Sequence, residues 1–151
     1  MEARQANAAY LTERLAKLPG LTTPLVRPNA THGYYVYALR YDARVTGVPR
    51  SRFVEALRAE GLGMNTGYVQ PIYLEPLYQQ RIAFGKDGFP FTYPGYTGNV
   101  KYERGICPVT ETMHFEELIC GDICHANLTR EDLDDIVKIF GKVYSAMDEL
   151  R

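Results

Sequence analysis

Near the end of the chain lies the pattern that most restricts its fold. Leu133, Ile136, Val137, Phe140, Val143, Tyr144 and Met147 recur at three- and four-residue steps, so on a helix they make one continuous apolar stripe. Thr129 with Asp132 supplies a capping-box-like start. A helix of this kind draws its stability from covering its apolar face, so the rest of the chain must offer a layer for it to lie on.

Two further helices are expected on the same grounds. Ala8, Leu11, Leu15 and Leu18 share one face of residues 1–18, and Pro19-Gly20 stops the run. Met1-Glu2-Ala3-Arg4 holds no Ser, Thr or Asp cap, so this helix reads as one entered part-way along. Phe53, Val54 and Leu57 define a shorter helix over residues 50–60, closed by Gly61. Strands are expected at 33–41, from Tyr34, Tyr35, Val36 and Tyr37, and at 62–68. Residues 21–31 read as a loop, and Pro108 opens a helix to Leu118 because proline suits a first helical turn. A third strand is expected at 119–125. The fold class is therefore α+β: a small, mainly antiparallel sheet with helices packed on it, forming a single domain over residues 1–151.

Charge and composition exclude several kinds of work. Lys plus Arg total 17 against 18 for Asp plus Glu, a formal net charge of -1, so no basic excess grips a phosphate backbone and no nucleic-acid partner is expected. No apolar run approaches the ~20 residues that span a bilayer, so no membrane partner is expected and a cytoplasmic location is read. Three cysteines without a secretory leader read as reduced thiols.

Cys120-Gly121-Asp122-Ile123-Cys124-His125 approaches a haem-attachment pattern, with three residues between the cysteines instead of two. It also offers zinc-type ligands, together with His114. On a strand, residues four apart stand about 13 Å from each other, too far to share one ion unless the backbone turns. The plainer reading makes these cysteines small buried hydrophobes, with no metal bound. Cys107 precedes a helix start, which favours a thiolate, but His32, His114 and His125 are scattered and no catalytic residue is assigned. Gly85-Lys86-Asp87-Gly88 lacks the spacing of a phosphate loop.

Pro71-Ile72-Tyr73-Leu74-Glu75-Pro76-Leu77-Tyr78 is too rich in proline for a central strand. Residues 81–105 follow as an aromatic-rich loop holding Phe84, Phe89, Phe91, Tyr93, Tyr96 and Tyr102 without periodicity. Tyrosine joins an apolar ring to a hydroxyl and suits sugars, bases and subunit contacts. Rings that simply pin a surface loop explain the segment equally well.

Gly61-Leu62-Gly63-Met64-Asn65-Thr66-Gly67-Tyr68, then Pro71-Ile72-Tyr73 and Pro76-Leu77-Tyr78, resembles the small-domain signature of the DegT/DnrJ/EryC1/StrS aminotransferases. Arg4 to Leu11 is similar to that family's interdomain helix, which residues 1–18 would form, and Leu18-Pro19-Gly20-Leu21 is similar to its exit. Cys107-Pro108-Val109-Thr110-Glu111 and Leu128 to Val137 resemble the openings of the family's last two helices. The Cys-Pro-Val start and the long loop before it lean toward members acting on inososes, amino-sugars or related polyol ketones. The resemblance implies the small domain of the aspartate-aminotransferase fold.

What the resemblance implies for function is specific. The family uses pyridoxal phosphate (PLP) to move an amino group from glutamate or glutamine onto a keto-sugar, often nucleotide-linked, and its members are usually homodimers. The Schiff-base lysine, the Asp facing the pyridine nitrogen and the phosphate-binding turn belong to a PLP-binding large domain, expected to precede this sequence. Lys17, Lys86, Lys101, Lys138 and Lys142 lie in nothing like the Schiff-base motif and read as solvated surface charges, so no cofactor-binding residue is assigned. A His-Tyr pair that often lines the sugar side in the family corresponds to Gly67-Tyr68, and a second frequent histidine corresponds to Tyr73. Tyr68 and Tyr73 are therefore the expected substrate-binding residues, with strand packing as the alternative. Two functions remain open: a small domain of a sugar aminotransferase, inert alone, or a binding and dimerisation module derived from the same fold.

Overall fold

Tyr37, Leu39 and Tyr41 are buried while Ala38 and Arg40 face solvent, the two-residue period of a strand covered on one side. In the computed structural model, which describes residues 1–151, they form β2 (Tyr37–Tyr41) of a four-stranded antiparallel sheet. Its spatial order is β1 (Leu21–Thr22), β2, β4 (Leu118–Gly121), β3 (Asn65–Thr66). In the register, Leu39 faces Ile119, and Thr66 faces Ile119 from the other side.

Three helices cover the apolar face: α1 (Glu2–Leu15), α3 (Arg50–Ala59) and α6 (Arg130–Ser145). The stripe on α6 is spent as its spacing predicts, with Leu133, Ile136, Phe140 and Val143 buried and Val137, Tyr144 and Met147 packed at the margin. Its capping box is present in full: Thr129 Oγ1 accepts from the Asp132 N–H and the Asp132 carboxylate accepts from the Thr129 N–H. Phe53 of α3 joins the layers, its ring stacked on Tyr41 at 4.6 Å and edge-on to Tyr144 at 5.4 Å. Polar contacts fasten α1. Arg4 forks onto the Asp122 carboxylate at 2.7 and 3.2 Å and donates to the Tyr34 carbonyl, while Tyr10 lies between the Arg14 and Arg130 guanidinia and donates to Asp134.

Several elements are shorter than their composition predicts. The first helix ends at Leu15 instead of 18, because residues 15–18 close a turn that brings Leu21-Thr22, read as loop, into the sheet as its edge. The 33–41 strand starts at Tyr37, since Tyr34 has φ +49° and gives its N–H to His32 Nδ1. The 62–68 strand shrinks to Asn65–Thr66 because its first residues end α3: Leu62 N–H returns to Leu57 and Gly61 N–H to Arg58, with Gly61 at φ +91°. The 119–125 strand occupies Leu118–Gly121, after which the chain turns at Asp122 and carries Ile123 and Cys124 into the core. Short helices α2 (Ala43–Thr46), α4 (Pro76–Gln79) and α5 (Pro108–Thr112) complete the domain; α2 went unread in the sequence.

The expected 108–118 helix breaks after α5 into a π-turn over Met113–Glu117. Arg50, at the start of α3, explains how this turn is held. Its Nη1 donates to the carbonyls of His114 at 2.9 Å and Leu118 at 2.8 Å, and its Nη2 to that of Phe115 at 2.6 Å. Carbonyls released by the widened turn thus meet a planar fork of donors.

Two stability changes follow. Phe53→Ala removes a wholly buried ring and is expected to cost about 3–5 kcal/mol in urea unfolding; a loss below about 1 kcal/mol would place the core elsewhere. Arg50→Lys replaces the fork by a point charge that cannot serve three carbonyls, with an expected cost of about 1–3 kcal/mol and faster amide exchange at Leu118 than in the unaltered chain; unchanged stability would show that the clamp is ornamental.

Candidate functional site

Beyond β3 the chain makes a tight turn at Gly67, at φ +70°. Its N–H donates to the Leu118 carbonyl at 2.7 Å and its carbonyl accepts the Cys120 thiol at 2.8 Å. A Cβ here would lie 2.9 Å from both the His114 ring and its carbonyl, so glycine is required by conformation and by space. The turn sends Tyr68 outward, half exposed, next to the open ring of Tyr35. The Tyr35 hydroxyl, more than the slight burial, pushes the Tyr68 phenol above the ordinary tyrosine value. Arg58, Asn65, Thr66, Tyr68 and Val69 line a shallow groove of about 300 Å³. Arg58 is fixed in it by hydrogen bonds to the Met64 carbonyl and to Asn65 Oδ1.

Tyr73 has a different setting. It sits in a 3₁₀ turn over Ile72–Leu74, is 8% exposed, and donates its hydroxyl to the Glu111 carboxylate. Burial, then the Glu111 charge, pushes this phenol up to about 12, so it remains a donor at neutral pH. The two expected contact residues are thus presented unequally: Tyr68 offers ring and hydroxyl to solvent, whereas Tyr73 offers little surface and its hydroxyl is engaged.

His114, from the π-turn, completes the neighbourhood. Its ring packs beside Gly67 and edge-on to Phe115 at 4.7 Å, while the Arg104 guanidinium lies 3.9 Å from the other ring's centre. Burial first, and the Arg50 charge second, hold the imidazole below the ordinary histidine value, so it is neutral at pH 7. In residues 81–105, Phe84, Phe89 and Tyr93 are open to solvent.

The cysteines are held as single side chains. Cys120 and Cys124 are buried, each with its thiol at a backbone carbonyl, and burial pushes both thiols up. No group of three His, Cys, Asp or Glu side chains converges as a metal would require. All five lysines are exposed; Lys138 and Lys142 pair with Asp135 and Glu60, and Lys17 lies in the turn after α1.

Arg50 and Glu111 were not marked as site residues by their sequence context, and His114 was weighed there only as a zinc-type ligand or a partner for Cys107. Arg50 had a usable signal, since a cation in a first helical turn opposes the helix dipole and asks for another partner. Glu111 had none beyond lying in the Cys-Pro-Val-Thr-Glu segment.

The model of the DegT/DnrJ/EryC1/StrS aminotransferase family matches residues 1–93. The spore coat polysaccharide biosynthesis protein SpsC of Bacillus subtilis is 32% identical over 88 residues, covering 58% of this chain and 22% of that protein. An aminotransferase, TlmJ from Streptoalloteichus hindustanus, shares the fold with a TM-score of 0.64 at 22% identity, over 97% of this chain and 32% of that one. The chain therefore spans between about a fifth and a third of the length of these relatives. The match covers more than half of the sequence and takes in the Gly67-Tyr68 turn: this chain belongs to the DegT/DnrJ/EryC1/StrS aminotransferase family.

Proposed function

We propose that these residues are the small domain of a PLP-dependent aminotransferase that transfers an amino group from glutamate or glutamine to a keto-sugar or inosose. The observation that carries this reading is the family match through Tyr68 together with a fold likeness over almost the whole chain. The name of SpsC, a polysaccharide biosynthesis protein, supports a sugar substrate. In this reading a large domain holds PLP, the assembled enzyme is a homodimer in the cytoplasm, and the substrate is a sugar or nucleotide-sugar.

The residues of this chain do not fit the cofactor. Its lysines all stand exposed on the surface, and Lys138 and Lys142 are engaged by the carboxylates of Asp135 and Glu60. No chemical step is therefore derived through PLP. The part left to this domain is recognition: Tyr68 contacts the sugar by ring and hydroxyl, and Tyr73 supports the same face from beneath.

A second reading is favoured by one observation. Tyr35, Val69, Ile72, Phe84 and Val109 are all more than 60% exposed, an apolar display suited to association. As a stand-alone dimerisation module, the chain would bury such side chains against a second copy. No helix is long and apolar enough to cross a membrane.

Borohydride treatment of the chain with PLP separates the readings from an independent enzyme. The aminotransferase-domain reading expects no stable phosphopyridoxyl-lysine, and labelling at one defined lysine would overturn it. When this domain is joined to its PLP-binding partner, Tyr68→Ala is expected to raise the keto-sugar KM about tenfold with a smaller change in kcat. An unchanged KM would remove Tyr68 from the site. Sedimentation over a range of concentrations tests the dimerisation module, which a monomer throughout would exclude.

A further inference from the structure

Residues 82–100 form a loop that holds itself together. Phe84 N–H pairs with the Phe89 carbonyl, and Thr92 Oγ1 donates to the Asp87 carbonyl at 2.5 Å. Phe91 packs edge-on to Tyr96 at 5.7 Å and to Tyr102 at 6.4 Å. A loop whose ends are close and whose own side chains fill it is a compact unit. Its orientation is then decided at the neck.

At the neck, Gln79 Nε2 donates to the carbonyls of Tyr73 and Tyr102, Arg81 donates to the Val100 carbonyl at 3.0 Å, and the rings of Tyr78 and Tyr102 meet at 5.1 Å. These contacts join the two limbs to each other. The join to α5 passes through Glu111, beside the contact of the Arg104 guanidinium with the Phe115 ring of the π-turn. One oxygen of its carboxylate, Oε1, accepts from the Tyr73 hydroxyl, from Gly105 N–H at 2.7 Å and from Cys107 N–H at 3.4 Å. Three donors from two stretches of the chain, Tyr73 and the Gly105–Cys107 segment, converge on one oxygen, and hydrogen bonds to an ionised acceptor are the strong kind.

We propose that Glu111 is the positioning residue of the aromatic loop: its carboxylate fastens the neck of residues 81–105 to α5 and sets the Tyr73 ring, so that the loop is presented preformed to whatever it meets. A loop ordered in advance loses less freedom on binding, which is how a residue remote from the contact strengthens it. This inference goes beyond the aminotransferase reading and stands on the hydrogen bonds alone.

The fastening depends on charge. The Tyr73 hydroxyl first, then the Gly105 N–H, hold the Glu111 carboxyl below its usual range, with the Cys107 N–H and Arg104 acting in the same direction against desolvation. The titratable or charged groups facing Glu111 are Tyr73, Arg104 and Cys107. A carboxylate with a lowered folded value contributes in full above the unfolded carboxylate range and is lost as pH falls through the folded value.

The test uses the 151-residue chain and the amide protons of residues 81–107, by nuclear magnetic resonance and hydrogen exchange. In the unaltered chain the Gly105 amide shift should follow one titration with its midpoint below the usual carboxylate range. In Glu111→Gln that titration should vanish. Glu111→Ala should lower protection of the 101–107 amides by roughly tenfold at pH 7 while amides of β2 stay protected, and Tyr73→Phe should give a smaller loss. A flat Gly105 shift in the unaltered chain, or full loop protection in Glu111→Ala, would overturn the proposal. If Glu111→Ala loses β2 protection as well, the Gly105 titration and its absence in Glu111→Gln decide the matter. None of these readouts involves transamination, so failure of the enzymatic reading would leave them unaffected.

Discussion

The guanidinium of Arg50 takes up the carbonyls released where the chain widens from α5 into β4, and much of the candidate site hangs from that contact. An α-helix leading straight into a strand leaves carbonyls without partners, and burying them unmet costs about 1–3 kcal/mol each. The fork of Arg50, from another helix, meets the His114 and Phe115 carbonyls and shares the Leu118 carbonyl with the Gly67 N–H. With the π-turn held, His114 is placed against Gly67, β4 is aligned to receive the Gly67 N–H, and α5 is held where Glu111 meets the loop. One cation on α3 thus connects core packing to the surface where Tyr68 emerges.

Charged and aromatic groups are distributed differently over the chain. Charged pairs such as Arg4–Asp122 and Lys142–Glu60 fasten elements at the rim, where such pairs contribute modestly. Cys120, Cys124 and the large aromatic rings of the core are packed in the interior. Open aromatic surface is found instead in Tyr35, Tyr68, Phe84, Phe89 and Tyr93. Tyrosine and phenylalanine on a preformed loop suit a sugar or a protein surface, since they give large contact area for few rotatable bonds.

Legibility in the sequence followed the range of the interactions. The α6 stripe and its Thr129–Asp132 box were readable because helical neighbours lie three or four residues apart, so their pattern is written locally. The α+β class and the antiparallel sheet followed from the same local periods, and the family resemblance followed from short motifs in order. The strand ends were misread where backbone geometry overrode composition: Tyr34 has β-favouring chemistry but a left-handed backbone, and Leu62 belongs to the exit of α3. Tyr68 and Tyr73 occupy one motif five residues apart, yet one is open and the other is enclosed by Glu111.

By itself the sequence determined the presence of the three long helices, the class of fold and the family, because periodicity, capping and motif order are properties of neighbouring residues. Tertiary structure alone decided which side chains act together. Arg50 reaches carbonyls 64 to 68 positions away and Tyr73 reaches Glu111 across 38. Such pairings depend on how the layers stack and where the chain turns back, and no local pattern encodes the point at which two distant segments meet.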